Sequence, residues 1–203
     1  DRSPSRGLGD VYKRQILDKL QETLEEIRTR QVDPKPWFRA RVAIVGSEID
    51  DLDMTRLIEE AGALIVADRF CFGSFPGREV IGLNDHEDVL TQVCRHYLKV
   101  SECPRFMSDE KILQRRETAD RLAREYGAEG IIYEQIKFCD FWGFERALAS
   151  HIQAEEYGHP VLSIDRPYNA RSSGQLRTRM QAFVESLEIK RIQKRKQGGE
   201  RTC

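Results

Sequence analysis

Four short apolar runs, separated by helical stretches, constrain this chain more than any other feature. They are Arg41–Gly46, Ala63–Ala67, Gly130–Glu134 and Pro160–Ile164. Each is almost continuously apolar and rich in β-branched residues, as a strand buried on both faces requires. Helical patterns at about 51–61, 85–99, 108–126 and 142–156 lie between and after them, and Gly62 and Gly127 stand where two of these helices must stop. A last helix opens at Ser173 or Gly174, with Leu176, Met180, Phe183 and Leu187 on one face. Strands alternating with helices predict an α/β fold, a Rossmann-like four-stranded parallel sheet covered on both sides. Right-handed crossovers favour the strand order 2-1-3-4. That order reverses between the first and third strands, and ligands of such sheets bind at the carboxyl ends there.

Ahead of this unit, Ile16, Leu17, Leu20, Leu24 and Ile27 recur at helical spacing, so residues 16–32 read as an amphipathic interdomain helix. The run Asp33-Pro34-Lys35-Pro36-Trp37 stops it, and residues 33–40 form a stiff linker to a domain spanning 41–192. Residues 1–15, DRSPSRGLGDVYKRQ, have no apolar periodicity, no signal-peptide core and no initiator methionine. They resemble a translated assembly scar, so they are set aside as non-native, with genuine protein expected upstream. Residues 193–203 form a basic tail. Positive charge at a helix C-terminus is locally favourable and is no argument for nucleic acid.

With 33% charged and 39% apolar residues the composition supports a real core, and no run reaches the length of about 18 apolar residues that a membrane span needs. A net charge of −1 exerts no pull toward nucleic acid or anionic lipid. Five cysteines, an odd count without a regular framework, point to a reducing compartment, the cytoplasm.

The chemistry-bearing residues are read from where the strands end. Ser47 and Glu48 follow the first strand, and Gln135–Asp140 follow the third, so both lie at the reversal point. Cys139 sits there between Lys137 and Asp140, in polar company that no hydrophobic core would choose. On residue type alone it is packing, nucleophile or metal ligand. A nucleophile would want a histidine base, but all four histidines fall in predicted helices or at strand starts. Cys71 follows the second strand, one strand from the reversal, in a Gly/Pro-rich loop. Cys103 has no strand to place it, Cys94 reads as helix core, and Cys203 is in the tail. No pair has the close spacing of a self-contained zinc site. Arg171–Arg179 opens the last helix, where Ser172 or Ser173 is the expected cap and free N–H groups could hold an anion. Gln175 in this segment is a further cleft candidate.

ADRFCFGS after the second strand, IKFCD after the third and GQLRTRMQAFVE opening the last helix occur together, in this order. Over residues 16–192 the chain resembles the 2-hydroxyacyl-CoA dehydratase and benzoyl-CoA reductase family. The resemblance implies a subunit of two Rossmann-like halves, of which this chain holds the C-terminal one. It implies pairing with a related subunit as a heterodimer, and a [4Fe-4S] cluster held by three cysteines, two of them from the missing N-terminal half. The third matches Cys139, which is therefore expected to be the only cluster ligand in this chain, with Cys71 shaping the cleft instead. It also implies an ATP-dependent iron–sulfur activator protein, an acyl-CoA substrate, and elimination of water through a ketyl radical. Phe141-Trp142-Gly143 departs from the proline-containing continuation common in the dehydratases, which leaves a benzoyl-CoA-reductase-like or a non-catalytic electron-transfer or assembly subunit as the alternative. Taken without the resemblance, a plain α/β binding domain with structural cysteines also fits.

Overall fold

The computed structural model describes residues 4–31, 37–70, 73–74, 78–100, 102–168 and 174–199, with side chains described between 11 and 196. The chain divides into one unit up to Pro36 and a second from Trp37 onward. The first unit is a single helix, α1 (Pro4–Thr29). It begins well before Gln15, with Pro4 in the first turn, where a missing N–H is tolerated.

In the second unit β1 (Ala40–Gly46), β2 (Ala63–Arg69), β3 (Gly130–Ile136) and β4 (Val161–Arg166) form a wholly parallel sheet. The strand order is 2-1-3-4, as the crossover argument predicts. Ala43 pairs with Ile131 and Ile132 with Leu162, which places the carboxyl ends of β1, β3 and β4 along one edge. The intervening helices are α2 (Leu52–Glu60), α3 (Val89–Val100), α4 (Asp109–Glu125) and α5 (Asp140–Glu155), and α6 (Gly174–Gly199) follows β4.

Alternation along the strands splits the core into two layers. Val42, Ile44, Ile132 and Ile164 pack with Met54 and Ile58 of α2 and Met180, Val184 and Leu187 of α6. Val45, Ile131 and Tyr133 face the other way, toward Ala119 and Ala123 of α4 and Trp142 and Ala149 of α5. Burying each large aliphatic or aromatic side chain contributes about 1.5–3 kcal/mol, so both layers are needed to offset the ordering of the chain.

Several boundaries differ from the sequence reading, each for a local reason. The third helix starts at Val89 because Asp88 caps it, accepting from the Thr91 amide at 3.0 Å. β2 and β4 run on to arginines, Arg69 and Arg166, that apolar periodicity excluded. Cys94 is exposed on α3, not core, since Gln92 is the residue that helix buries. Glu134, the last residue of the expected third strand, is fully buried, and β3 runs two residues beyond it.

Candidate functional site

At the reversal point Gly46 ends β1 with φ 152°, and a Cβ there would lie 1.9 Å from the Glu134 carbonyl oxygen. Only glycine lets the two backbones come this close. Ser47 continues the seam. Its amide donates to that same carbonyl at 3.0 Å, and its Oγ accepts from the Ile136 amide at 3.0 Å. The buried hydroxyl is thereby committed to joining two strand ends.

Beyond Ile136 the chain turns. The Cys139 amide donates to the Ile136 carbonyl at 3.1 Å, and Phe138 takes the left-handed conformation, φ 71°, with its ring 97% exposed. A bulky residue in that region is strained. The turn delivers Cys139 as the N-cap of α5, yet its side chain makes no capping hydrogen bond. Gln135 donates to the Cys139 carbonyl at 3.2 Å, and Arg146 donates to the Gln135 amide oxygen at 2.8 Å. A Cβ at Gly143 would meet the Gln135 amide at 2.9 Å, so this departure from a proline-containing continuation leaves room for the brace.

These segments wall a cavity of about 480 Å³ that Ser47, Glu48, Lys137, Cys139 and Trp142 line together with Cys103 and Arg105. The lining side chains carry two cations, Lys137 and Arg105, and two carboxylates, Glu48 and Asp140, while the free amides at the start of α5 add partial positive charge. Of the residues expected at the site, Ser47, Glu48 and Cys139 meet here. Gln175 is exposed on the first turn of α6 and does not line this cavity. Cys71, like Arg171, Ser172 and Ser173, lies outside the described residues. Among the described residues no three His, Cys, Asp or Glu side chains converge as a metal site.

Three buried ion pairs hold the loops around the cavity. Arg166 donates to Glu134 and also to the carbonyls of Glu48 at 2.9 Å and Tyr168 at 2.9 Å. Arg69 donates to the Glu102 carboxylate and, at 3.2 Å, to its carbonyl. Arg115 joins Glu145 at 2.8 Å to the Phe106 carbonyl at 2.8 Å. Buried pairs are weak sources of stability, so their service here is to fix backbone. Burial pushes the Glu134 carboxyl up to about 7, against the opposing pull of Arg166.

Over residues 8–187 the sequence matches the family profile described as "2-hydroxyglutaryl-CoA dehydratase, D-component". The chain belongs to this family. Among its dehydratase relatives is the (R)-phenyllactyl-CoA dehydratase beta subunit of Clostridium sporogenes, 27% identical over 86% of this chain and 45% of that protein. The putative dehydratase subunit YjiM of Escherichia coli (strain K12) is 24% identical over the same shares. The chain thus spans about half the length of the curated relatives it matches. Membership of the family bears out the resemblance read from the three segments, and no helix among the described residues is long and apolar enough to cross a membrane.

Cys103, Pro104, Arg105, Phe141 and Trp142 are the lining residues of this cavity that sequence reasoning did not assign to the site. The three arginine pairs escaped it as well. One signal was available: an arginine closes two of the four apolar runs, in ADRF and SIDRP.

Proposed function

We propose that this chain is the C-terminal part of an iron–sulfur subunit of a radical 2-hydroxyacyl-CoA dehydratase, and that Cys139 is a ligand of its [4Fe-4S] cluster. The observation that carries the reading is the position of Cys139, at the start of α5 in the reversal-point cavity, with no capping bond claimed from its side chain. Family membership supports the reaction class. A thiolate ligand suits iron. When bound, such a cluster supplies a single electron of low potential.

The reaction removes the 2-hydroxyl group and a proton from C3 of an acyl-CoA, leaving the 2,3-enoyl thioester and water. Lys137 and Arg105 attract the anionic substrate, while Phe138 and Phe141 offer it apolar surface. Ser47 and Glu48 line the same cavity from the end of β1. The related second subunit would complete the heterodimer and an ATP-dependent iron–sulfur protein would deliver the electron, in the cytoplasm.

The test is anaerobic purification of the complete subunit with its partner, followed by iron counting, EPR and assay with 2-hydroxyacyl-CoA and activator. Four irons per cluster, lost in Cys139→Ala, are expected. Full iron content in Cys139→Ala would overturn the assignment.

A further inference from the structure

The helix α3 presents its apolar face to solvent. Leu90, Cys94, Tyr97 and Leu98 recur at i, i+4, i+7 and i+8, the spacing of a stripe that ordinarily faces a core. Yet Leu90 is 69%, Leu98 64% and Tyr97 44% exposed, and Cys94 is exposed beside them. The opposite side of the helix carries Gln92, the residue that α3 buries, and His96 and Val100, which share a cavity with Thr118 and Leu122 of α4.

Polar contacts fix this rotation. Gln92 accepts from the Asn84 amide at 2.8 Å and donates to the carbonyls of Asn84 at 2.8 Å and Glu87 at 2.6 Å. Arg95 donates to the Glu87 carboxylate at 2.6 Å, and Asp88 caps the first turn. Rolling the stripe inward would break the Gln92 bonds and bring the charged Arg95 and Lys99 toward the protein, at a cost of several kcal/mol. The segment before α3 therefore holds the apolar face outward.

We infer that this outward face of α3 is a contact surface for the remainder of the same polypeptide in the complete subunit; this rests on the reading of the chain as part of a longer subunit and is independent of the cluster. Two observations favour a tethered occupant over a separate chain. The relatives extend well beyond the match, which takes in 45% of their length, so polypeptide is at hand to cover the face. The stripe is also small. Four partly exposed side chains offer a few hundred Å² of apolar surface. Each side of a stable complex between separate chains contributes about 800 Å². Covalent linkage raises the effective concentration of the second surface to about the millimolar range, so a smaller contact suffices. The occupant must bring apolar side chains to Leu90, Tyr97 and Leu98, and polar ones to Thr91, Arg95 and Lys99, which border the stripe along one side.

Cys94 stands within the stripe and reports on its cover. The test is N-ethylmaleimide labelling of metal-free protein, read peptide by peptide by mass spectrometry, with circular dichroism as the folding control. In the 203-residue chain Cys94 should react as an open thiol. In the complete subunit, purified without a partner subunit, it should react at least about tenfold more slowly. Leu98→Asp should leave the melting of the 203-residue chain unchanged and restore fast labelling in the complete subunit. Equal Cys94 rates in the two proteins overturn the inference, as does protection that survives Leu98→Asp. Protection that appears only on adding the partner subunit assigns the face to a separate chain and overturns it too. Protection in the 203-residue chain that grows with its concentration does the same in favour of a second copy. Iron counting on the complete subunit after reconstitution decides the iron–sulfur reading separately.

Discussion

The Arg166 guanidinium and the Glu134 carboxylate meet at 2.5 Å with neither side chain exposed to solvent. From that pairing Arg166 reaches the carbonyls of Glu48 after β1 and of Pro167 and Tyr168 after β4. The loops after β1 and β4 are thus fastened to one carboxylate carried by β3 between them. Above the Glu134 titration, at about pH 8, Arg166→Met should destabilise the chain by about 3–5 kcal/mol, because the buried Glu134 carboxyl loses its partner and must stay charged or take up a proton. Replacing both, Arg166→Met with Glu134→Leu, should return most of that loss. Amide exchange at residues 47–50 and 167–168 should nevertheless stay faster than in the parent. Urea unfolding and hydrogen exchange measure the two effects separately, and restored exchange protection in the double variant would deny the fastening role.

The same carboxylate gives a pH dependence with a definite sign. Burial raises Glu134 from 4.5 to about 7, so the folded chain holds a proton that the unfolded chain has already released. Its contribution is fully present below about pH 4.5 and is lost as pH rises to about 7, which removes up to a few kcal/mol. Urea midpoints measured between pH 5 and 7.5 should fall more steeply in the parent than in Glu134→Gln. Parallel slopes would show that the carboxylate is already ionised at pH 5.

Gly46→Ala tests the close approach of β1 to β3. A Cβ placed 1.9 Å from a backbone oxygen cannot be relieved by a rotamer change, so the strand ends must separate. A loss of at least about 3 kcal/mol is expected, in the range of strong backbone effects. Thermal melting checks it, and a near-neutral outcome would mean that the seam is looser than described.

Phe138→Gly works in the opposite direction. Its left-handed backbone is unfavourable for a β-carbon, and a 97% exposed ring returns no packing energy. Stability of this chain should rise by roughly 1 kcal/mol. In the complete subunit the same change should lower acyl-CoA affinity or turnover, which separates a strained functional residue from an accidental one. A gain in stability with unaltered kinetics would leave the strain without a purpose.

The sheet was legible because strands buried on both faces must be almost wholly apolar. Ala40–Gly46 and Gly130–Ile136 announce themselves, and chain geometry then dictates their order. Cys139 was legible for the related reason that it follows a strand end. Cys103 was not, since what positions it is Arg69, more than thirty residues earlier, acting through Glu102. The burial of Glu134 was hidden for the same cause: its partner Arg166 lies 32 residues away, so no local pattern marks the carboxylate as buried. Cys94 shows the converse error, a residue type with a strong tendency to be interior standing on an outward helix face. Periodicity reports which side of an element is apolar, whereas buried ion pairs are set by which elements become neighbours.

The anchors of the Cys103 turn and the brace on Cys139 all come from residues between Arg69 and Arg146 of a single folded unit. Walls assembled in this way are inherited as one cassette. Substitutions elsewhere in a larger protein can alter what enters the cavity, or what closes over it, without loosening the grip on either sulfur.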